Sequence, residues 1–377
     1  MLTIKQTKLI ILFASCSLFL TACFPSGGQS LSTEDKSVIS DEIESIVSNN
    51  EHIEVEAELS ENITELPTVN VKVMDWDDEK LADTFLSDKE NLEHEEADSS
   101  IFAEGKRHWY ENDDYKFSYQ PGFLTSEYRH SSVFGYGSLR TALNFYCYED
   151  IFTNDSISVL PKEEAIKRCT DLLEGAGITN YSEPRVYAIT VDKVNEFWIE
   201  TGYDSSDEYA PWFSPEDEIY VLRFPIEYNG IPVTTFMPEV SSHGMSTFFV
   251  GSHIDFVVTK NEVFSLEIFQ LFSPKYELGD NVEINCSAEN ALKIAVEHYD
   301  DMFLDYGDKT YIKNNIKILN CELVYIPYEY QDEVDFTSKN FTLTPVWEVS
   351  VAAYGDEDII GERKCFFIDA QTGDILV

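Results

Sequence analysis

Two stretches of this 377-residue chain read in the same order: one capped helix, then strands that alternate in polarity. The first opens at Pro161, with Glu163 and Glu164 in the first turn and Gly175 and Gly177 at the close. Ala165, Ile166, Cys169, Leu172 and Leu173 give this helix a buried stripe. Strand-like residues 186–191 follow. Tyr220, Leu222, Phe224, Ile226 and Tyr228 then share one face of a strand, and Asn229-Gly230 is a strong hairpin signal. A second hairpin runs from Ile254 through Lys260-Asn261 to Phe272. The second helix has Ser287 as N-cap and Glu289 in its first turn, with Leu292, Ala295, Val296, Tyr299 and Phe303 on one face. A strand over Ile316 to Ile326 comes next. Phe341, Leu343, Trp347, Val349 and Val351 alternate with Thr342, Thr344, Glu348 and Ser350, which predicts one buried and one wet face. Lys364–Asp369 and Asp374–Val377 flank a turn at Thr372-Gly373. The period is too long for a solenoid. The expected fold class is α+β: two tandem modules of one helix packed on a curled antiparallel sheet.

The N-terminus constrains the address. Lys5 and Lys8 precede an apolar run from Leu9 to Leu20, and Thr21 and Ala22 are small residues before Cys23. The run is too short to span a bilayer, which takes roughly 20 residues. Leu20-Thr21-Ala22-Cys23 resembles the lipobox of a bacterial lipoprotein signal. That resemblance implies cleavage between Ala22 and Cys23 and a diacylglyceryl group on the Cys23 thiol. It places the body on the extracytoplasmic face of the cell membrane, where two acyl chains suffice for stable anchoring.

The expected organisation is a lipoprotein signal over residues 1–22 and a flexible, acidic tether over 23–50. An N-terminal β-rich subdomain over 51–150 precedes the first α+β module at 151–280 and the second at 281–377. Within 51–150, residues 52–59 and 69–74 read as strands and Asp78 to Leu86 as a short helix. Ser87 to Ser99 reads as an acidic linker. His108 to Gln120 reads as a hairpin turning at Asn112-Asp113-Asp114.

A net charge of -44 argues against nucleic acid or an anionic lipid patch as partner, because phosphate binding needs clustered Lys and Arg. The small basic cluster Lys106-Arg107-His108 reads as a strand edge. Beyond Cys16 and Cys23, five cysteines remain: Cys147, Cys169, Cys286, Cys321 and Cys365. Five is odd, so one at least is unpaired; Cys321 and Cys365, in strands of one module, are the candidate pair. No catalytic, cofactor or metal motif stands out. His243-Gly244-Met245-Ser246 lacks an assignable third partner, and Gly135-Tyr136-Gly137-Ser138 lacks the third glycine of a phosphate loop. His94-Glu95-Glu96 has no metalloprotease spacing. Asp204 to Glu208, Asp300 to Asp308 and Asp356 to Glu362 lack EF-hand spacing.

The last module is similar to a PepSY-like domain. Ala291-Leu292, Pro345-Val346-Trp347 and the run Ile368 to Leu376 carry the resemblance, and Tyr228-Asn229-Gly230-Ile231-Pro232-Val233 echoes it in the first module. The whole resembles lipoproteins of clostridia-type Gram-positive bacteria and the envelope proteins that restrain a wall-sensing histidine kinase. The resemblance implies binding or inhibition of an envelope protein partner rather than catalysis, with no cofactor. The alternatives are an extracytoplasmic hydrolase acting on cell-wall or glycan material and a small-ligand-binding lipoprotein. Trp347 and the Asp369–Gly373 turn are expected to serve the fold rather than a site.

Overall fold

Antiparallel pairing dominates the computed structural model. It describes residues 53–57, 59, 63–87, 89–99, 105–129, 152, 156–194, 214–236, 251–298, 315–327, 340–354 and 362–376. The lipobox with Ala22 and Cys23, the tether and Cys147 lie outside these residues. The first strands are β1 (Ile53–Val55), β2 (Glu65–Lys72), β3 (Glu93–Asp98), β4 (Lys106–Glu111), β5 (Tyr115–Gln120) and β6 (Phe123–Tyr128). Then come β7 (Arg185–Ile189), β8 (Ile219–Pro225), β9 (Glu227–Tyr228), β10 (Ile231–Pro232), β11 (His253–Val258), β12 (Val263–Phe269) and β13 (Glu277–Glu283). The last are β14 (Asn315–Pro327), β15 (Asn340–Tyr354) and β16 (Glu362–Asp369). Helix α1 (Asp78–Leu81) continues as a wider π turn over Ala82–Leu86; α2 spans Lys162–Gly175 and α3 Ala288–Glu297.

One sheet has eight strands in the order β3-β4-β5-β6-β12-β11-β8-β7. A second has six, ordered β1-β14-β15-β2-β13, with β16 also on β15, and β9 and β10 pair as a two-stranded ribbon. Among these strands only β1 on β14 is parallel. The fold is therefore mixed α+β, with few helices and mostly antiparallel, curled sheets. The strands of residues 53–128 are shared out: β1 and β2 enter the six-stranded sheet, β3 to β6 the eight-stranded one.

Local chemistry accounts for the hairpins. Asn112 Oδ1 accepts the N–H groups of Asp114 and Tyr115 at 2.9 and 2.8 Å, which closes the β4–β5 turn where the sequence predicts it. Asn229 and Gly230 both take positive φ, 50° and 78°, as a primed turn requires. Asp369 Oδ1 accepts from the N–H groups of Gln371 and Thr372, and Gly373 turns the chain at φ 80°. Ser287 caps α3 by accepting the Asn290 N–H at 3.2 Å, worth about 1 kcal/mol. Ala165, Cys169 and Leu173 form the fully buried stripe of α2, while Ile166 and Leu172 pack at its margin.

The described residues all belong to one unit, Glu34–Val377, and a single large core runs through both sheets. Backbone contacts stitch the sheets together. The Gly122 N–H donates to the Met74 carbonyl, and the Gly122 carbonyl accepts from Leu271, each at 2.8 Å. Gly122 sits at φ 72°, and a Cβ there would stand 2.7 Å from Val73 Cγ1, so both the turn and the close approach demand glycine. The Thr234 N–H donates to the Tyr325 carbonyl at 3.0 Å, and Phe272 packs on Phe341. Trp347 is buried under α3. Its Nε1–H donates to the Cys286 carbonyl at 2.8 Å, just ahead of the helix cap.

Two expectations are corrected, and one open question is answered. The second face of β15 is not wet: Glu348 and Ser350 are buried along with Trp347, Val349 and Val351. Residues 93–98 are no linker but strand β3, exposed along its length and paired to β4 from Glu93–Glu111 to Asp98–Lys106. Five polar side chains and Ala97 conceal a strand that has no buried face and is held by backbone pairing and surface contacts to β4. Cys321 and Cys365 are not joined; both are buried free thiols, as are Cys169 and Cys286.

Candidate functional site

The strands that bury both faces are those that carry charge inward. On β8 every residue from Ile219 to Phe224 is buried, and on β11 every residue from His253 to Val258. Leu222, Phe224, Ile254 and Phe256 fill the main core. The pleat sends Arg223 and Asp255 to the opposite face. Strand register lines up Arg185 of β7, Arg223 of β8, Asp255 of β11 and Glu267 of β12 in one row.

Two arginines opposite each other repel unless neutralised. Arg223 is matched by Asp255 through two parallel bonds, Nε–Oδ1 at 2.8 Å and an NH2–Oδ2 contact at 2.6 Å. Both side chains are sealed from water, at 4% and 0% exposure. Arg185 reaches the other way, to Glu322 Oε1 on β14 at 3.6 Å. Glu322 in turn stands opposite Glu348 on β15. Glu348 is held by hydroxyls: Thr234 Oγ1 donates to Oε2 at 2.5 Å, and Ser350 Oγ to Oε1 at 3.1 Å. The Cys365 thiol lies 3.7 Å from the same oxygen.

These groups surround a cavity of about 260 Å³ between the two sheets. Arg185, Arg223, Arg363, Glu227, Glu322 and Glu348 line it, with Thr234 and Pro225 in its wall. Partial burial, and then the facing Glu348, raise the Glu322 carboxyl above its ordinary range. Burial, and then Glu348, push the Cys365 thiol well up, so it stays protonated and is a poor nucleophile.

The Glu322 shift sets a pH dependence. A carboxyl whose folded-state pKa is raised holds its proton in the folded protein after the unfolded chain has lost it. Stability therefore falls as pH rises through the window that begins near 4.5, the ordinary value. Glu322→Gln removes that loss. Urea titrations should show the variant gaining on the parent as pH rises above 4.5, with the two alike at the acid end. An advantage independent of pH would contradict this assignment.

Behind the wall lies a second buried group. His253, 1% exposed, stands across from Pro225. Its Nε2 lies 3.8 Å from Asp255 and 4.0 Å from Glu267, and its ring stacks on Phe269. Neither ring nitrogen has a hydrogen-bond partner, nor do the hydroxyls of Ser252 and Ser265. Among the described residues no cluster of His, Cys, Asp and Glu could hold a metal ion.

A different feature marks the end of the six-stranded sheet. Strand β13 closes its order, with a bulge between Leu278 and Asn281. Leu278 is 55% exposed and the neighbouring Tyr276 42%. Glu277, Asp280 and Glu283 are exposed around them.

Of the residues singled out in the sequence, Trp347 serves the core and Asp369 to Gly373 a turn. Lys106-Arg107-His108 lies in β4, where Lys106 pairs with Asp98 at 2.9 Å and His108 stacks on His94. The segments 135–138, 204–208, 243–246, 300–308 and 356–361 lie outside the described residues. The cavity residues went unrecognised. Their signal was available: a lone Arg, Asp or Glu inside an otherwise apolar strand, as in Arg223, Asp255 and Glu348.

No protein-family model matches the chain, and no curated protein matches it. Among solved structures, an uncharacterized protein from Eubacterium rectale ATCC 33656 is similar in fold. The TM-score is 0.60 over 87% of this chain and 91% of that one, at 14% sequence identity. At that identity the likeness is one of fold. No helix among the described residues is long and apolar enough to cross a membrane.

Proposed function

We propose that this chain is a lipid-anchored protein of the extracytoplasmic face, held to the cell membrane by a diacylglyceryl group on Cys23. Its role is to bind or restrain an envelope protein, not to catalyse a reaction. Its finer architecture is two tandem modules, each with one helix over a curled antiparallel sheet: α2 serves the first, α3 the second.

The observation that supports a protein partner is the edge at β13, which among the described residues pairs with β2 alone. A terminal strand with exposed Leu278 and Tyr276 can accept an extended segment by backbone pairing, with side chains of the segment resting on the apolar pair. Glu277, Asp280 and Glu283 select a basic segment, and the acidity of the whole chain adds to that preference.

The test uses the intact protein in its own membrane. Labelling with a fatty-acid probe should mark the parent and not Cys23→Ala, which should leave the membrane. A photo-crosslinker at Tyr276 should capture one envelope protein, and Leu278→Lys should cut that capture at least tenfold. An unlabelled parent removes the anchor. Equal capture by Leu278→Lys removes the edge as the docking site.

One observation favours the hydrolase reading: Glu322 and Glu348 face each other in a cavity, and one of them is raised in pKa. Against it, hydroxyl donors occupy both oxygens of Glu348. The pair is held as a charge-balanced wall rather than poised to move a proton.

A further inference from the structure

The cavity between the sheets is a second feature, lined by residues other than those of the β13 edge, and its chemistry selects a ligand class. Three guanidinium groups, Arg185, Arg223 and Arg363, share the lining with three carboxyls, Glu227, Glu322 and Glu348. A bare anion would meet the carboxyls and a bare cation the arginines, so neither suits a wall of balanced sign. A neutral apolar molecule would strip water from the partly exposed Arg185 and Glu322 and return nothing. A molecule with both charges close together satisfies both sets.

Size narrows the choice. A volume of about 260 Å³ corresponds to roughly nine waters at liquid density and falls below the range of drug-sized pockets. The groups nearest to a vacancy are Arg185 and Glu322. Their atoms stand 3.6 Å apart, beyond hydrogen-bond reach, and their side chains keep 42% and 31% exposure. The pair is thus neither sealed nor closed. Arg223 differs: Asp255 already holds it by two short bonds.

Two residues that adjoin the wall carry buried polar atoms without partners. The His253 ring is the cross-strand neighbour of Pro225 in the wall, and the Ser252 N–H donates to the carbonyl of Thr234, also in the wall. Both His253 nitrogens and the Ser252 hydroxyl lack a hydrogen-bond partner. Native proteins rarely leave such groups unmet unless water or a ligand lies beside them.

We propose that this cavity binds a zwitterionic molecule of amino-acid size, its carboxylate on Arg185 and Arg363 and its ammonium on Glu322 and Glu348. The loose Arg185–Glu322 contact opens to admit it, so that each partner exchanges a long contact for a short charge-assisted bond. An ammonium beside Glu322 also lowers the raised pKa of that carboxyl, so binding weakens as pH falls.

The test is calorimetric titration of the full chain with the twenty amino acids, the D and L forms of alanine, and alanyl-alanine. For whichever binds, the N-acetylated form and the carboxamide form are titrated next. The expected result is binding by at least one zwitterion and a loss of tenfold or more for each blocked form. Arg185→Met should weaken the zwitterion yet leave its carboxamide unaffected, and Glu322→Gln should do the same with respect to the N-acetylated form. These variants separate charge recognition from misfolding, since each is scored by discrimination between two ligands. Equal binding of blocked and unblocked forms overturns the proposal, and so does absence of binding by every probe at millimolar concentration. Capture at Tyr276 should persist in Arg185→Met, so failure here leaves the protein-partner reading standing.

Discussion

Asp255→Ala is expected to lower the unfolding free energy by about 3–5 kcal/mol. The side chain is fully buried and makes both short bonds to Arg223, itself almost wholly enclosed. Removing the carboxylate leaves a guanidinium in a dry site, with Arg185 across the strand pair and Arg363 in the same cavity lining. The cost is that of a buried guanidinium deprived of its two-bond counter-charge rather than the value of the bond. The double variant Arg223→Met/Asp255→Leu removes both charges and should recover most of the loss, since buried pairs are often replaceable by apolar groups of similar volume. Urea midpoints at unchanged slope measure both effects. A loss below about 1 kcal/mol for the single variant, as for a surface pair, would mean that water reaches the row.

Trp347→Ala should cost a similar amount, about 3–5 kcal/mol. Trp347 is among the largest fully buried side chains, and it sits where β15 meets the start of α3. Its truncation opens a void under the helix and leaves the buried Cys286 carbonyl without its indole donor. Trp347→Phe separates the two contributions. It keeps most of the apolar area and should lose only the part due to the unmet carbonyl, about 1–3 kcal/mol. Near-UV circular dichroism and urea unfolding report them together. If Phe proves as damaging as Ala, the hydrogen bond and not the volume would carry the site.

What the sequence revealed is what neighbours in the chain decide. The Asn112 turn, the Asn229-Gly230 hairpin, the Ser287 cap and the apolar stripe of α2 each depend on side chains within a few positions. They stand where the sequence predicts them. Strand β15 is different. Its alternation marks one buried face correctly, but the burial of Glu348 and Ser350 depends on Thr234, 114 residues away from Glu348 in the chain. No periodicity encodes which partner will cover a second face. Asp255 is 32 residues from Arg223, and Glu322 faces Glu348 across a strand pair. The site is therefore an assembly of long-range matches, visible in sequence only as charges out of place in apolar strands.

The same reasoning explains β3. Its six side chains are all exposed, so burial left no pattern, yet its backbone pairs with β4 throughout. An acidic edge of this kind discourages pairing with another chain. Strand β13 lies at the edge of the other sheet and carries exposed Leu278 beside its acids. The contrast between a shielded edge and an open one is what points to β13 as the docking strand.

Hydrogen exchange at residues 277–283 tests that central claim most directly. In the protein alone the outward amides of β13 should exchange fast, as those of an unpaired edge do. In the complex captured from the native membrane they should slow by at least a hundredfold, while β3 at the edge of the eight-stranded sheet stays fast. Unchanged exchange at β13, with protection arising elsewhere, would contradict strand addition and with it the function proposed for this chain.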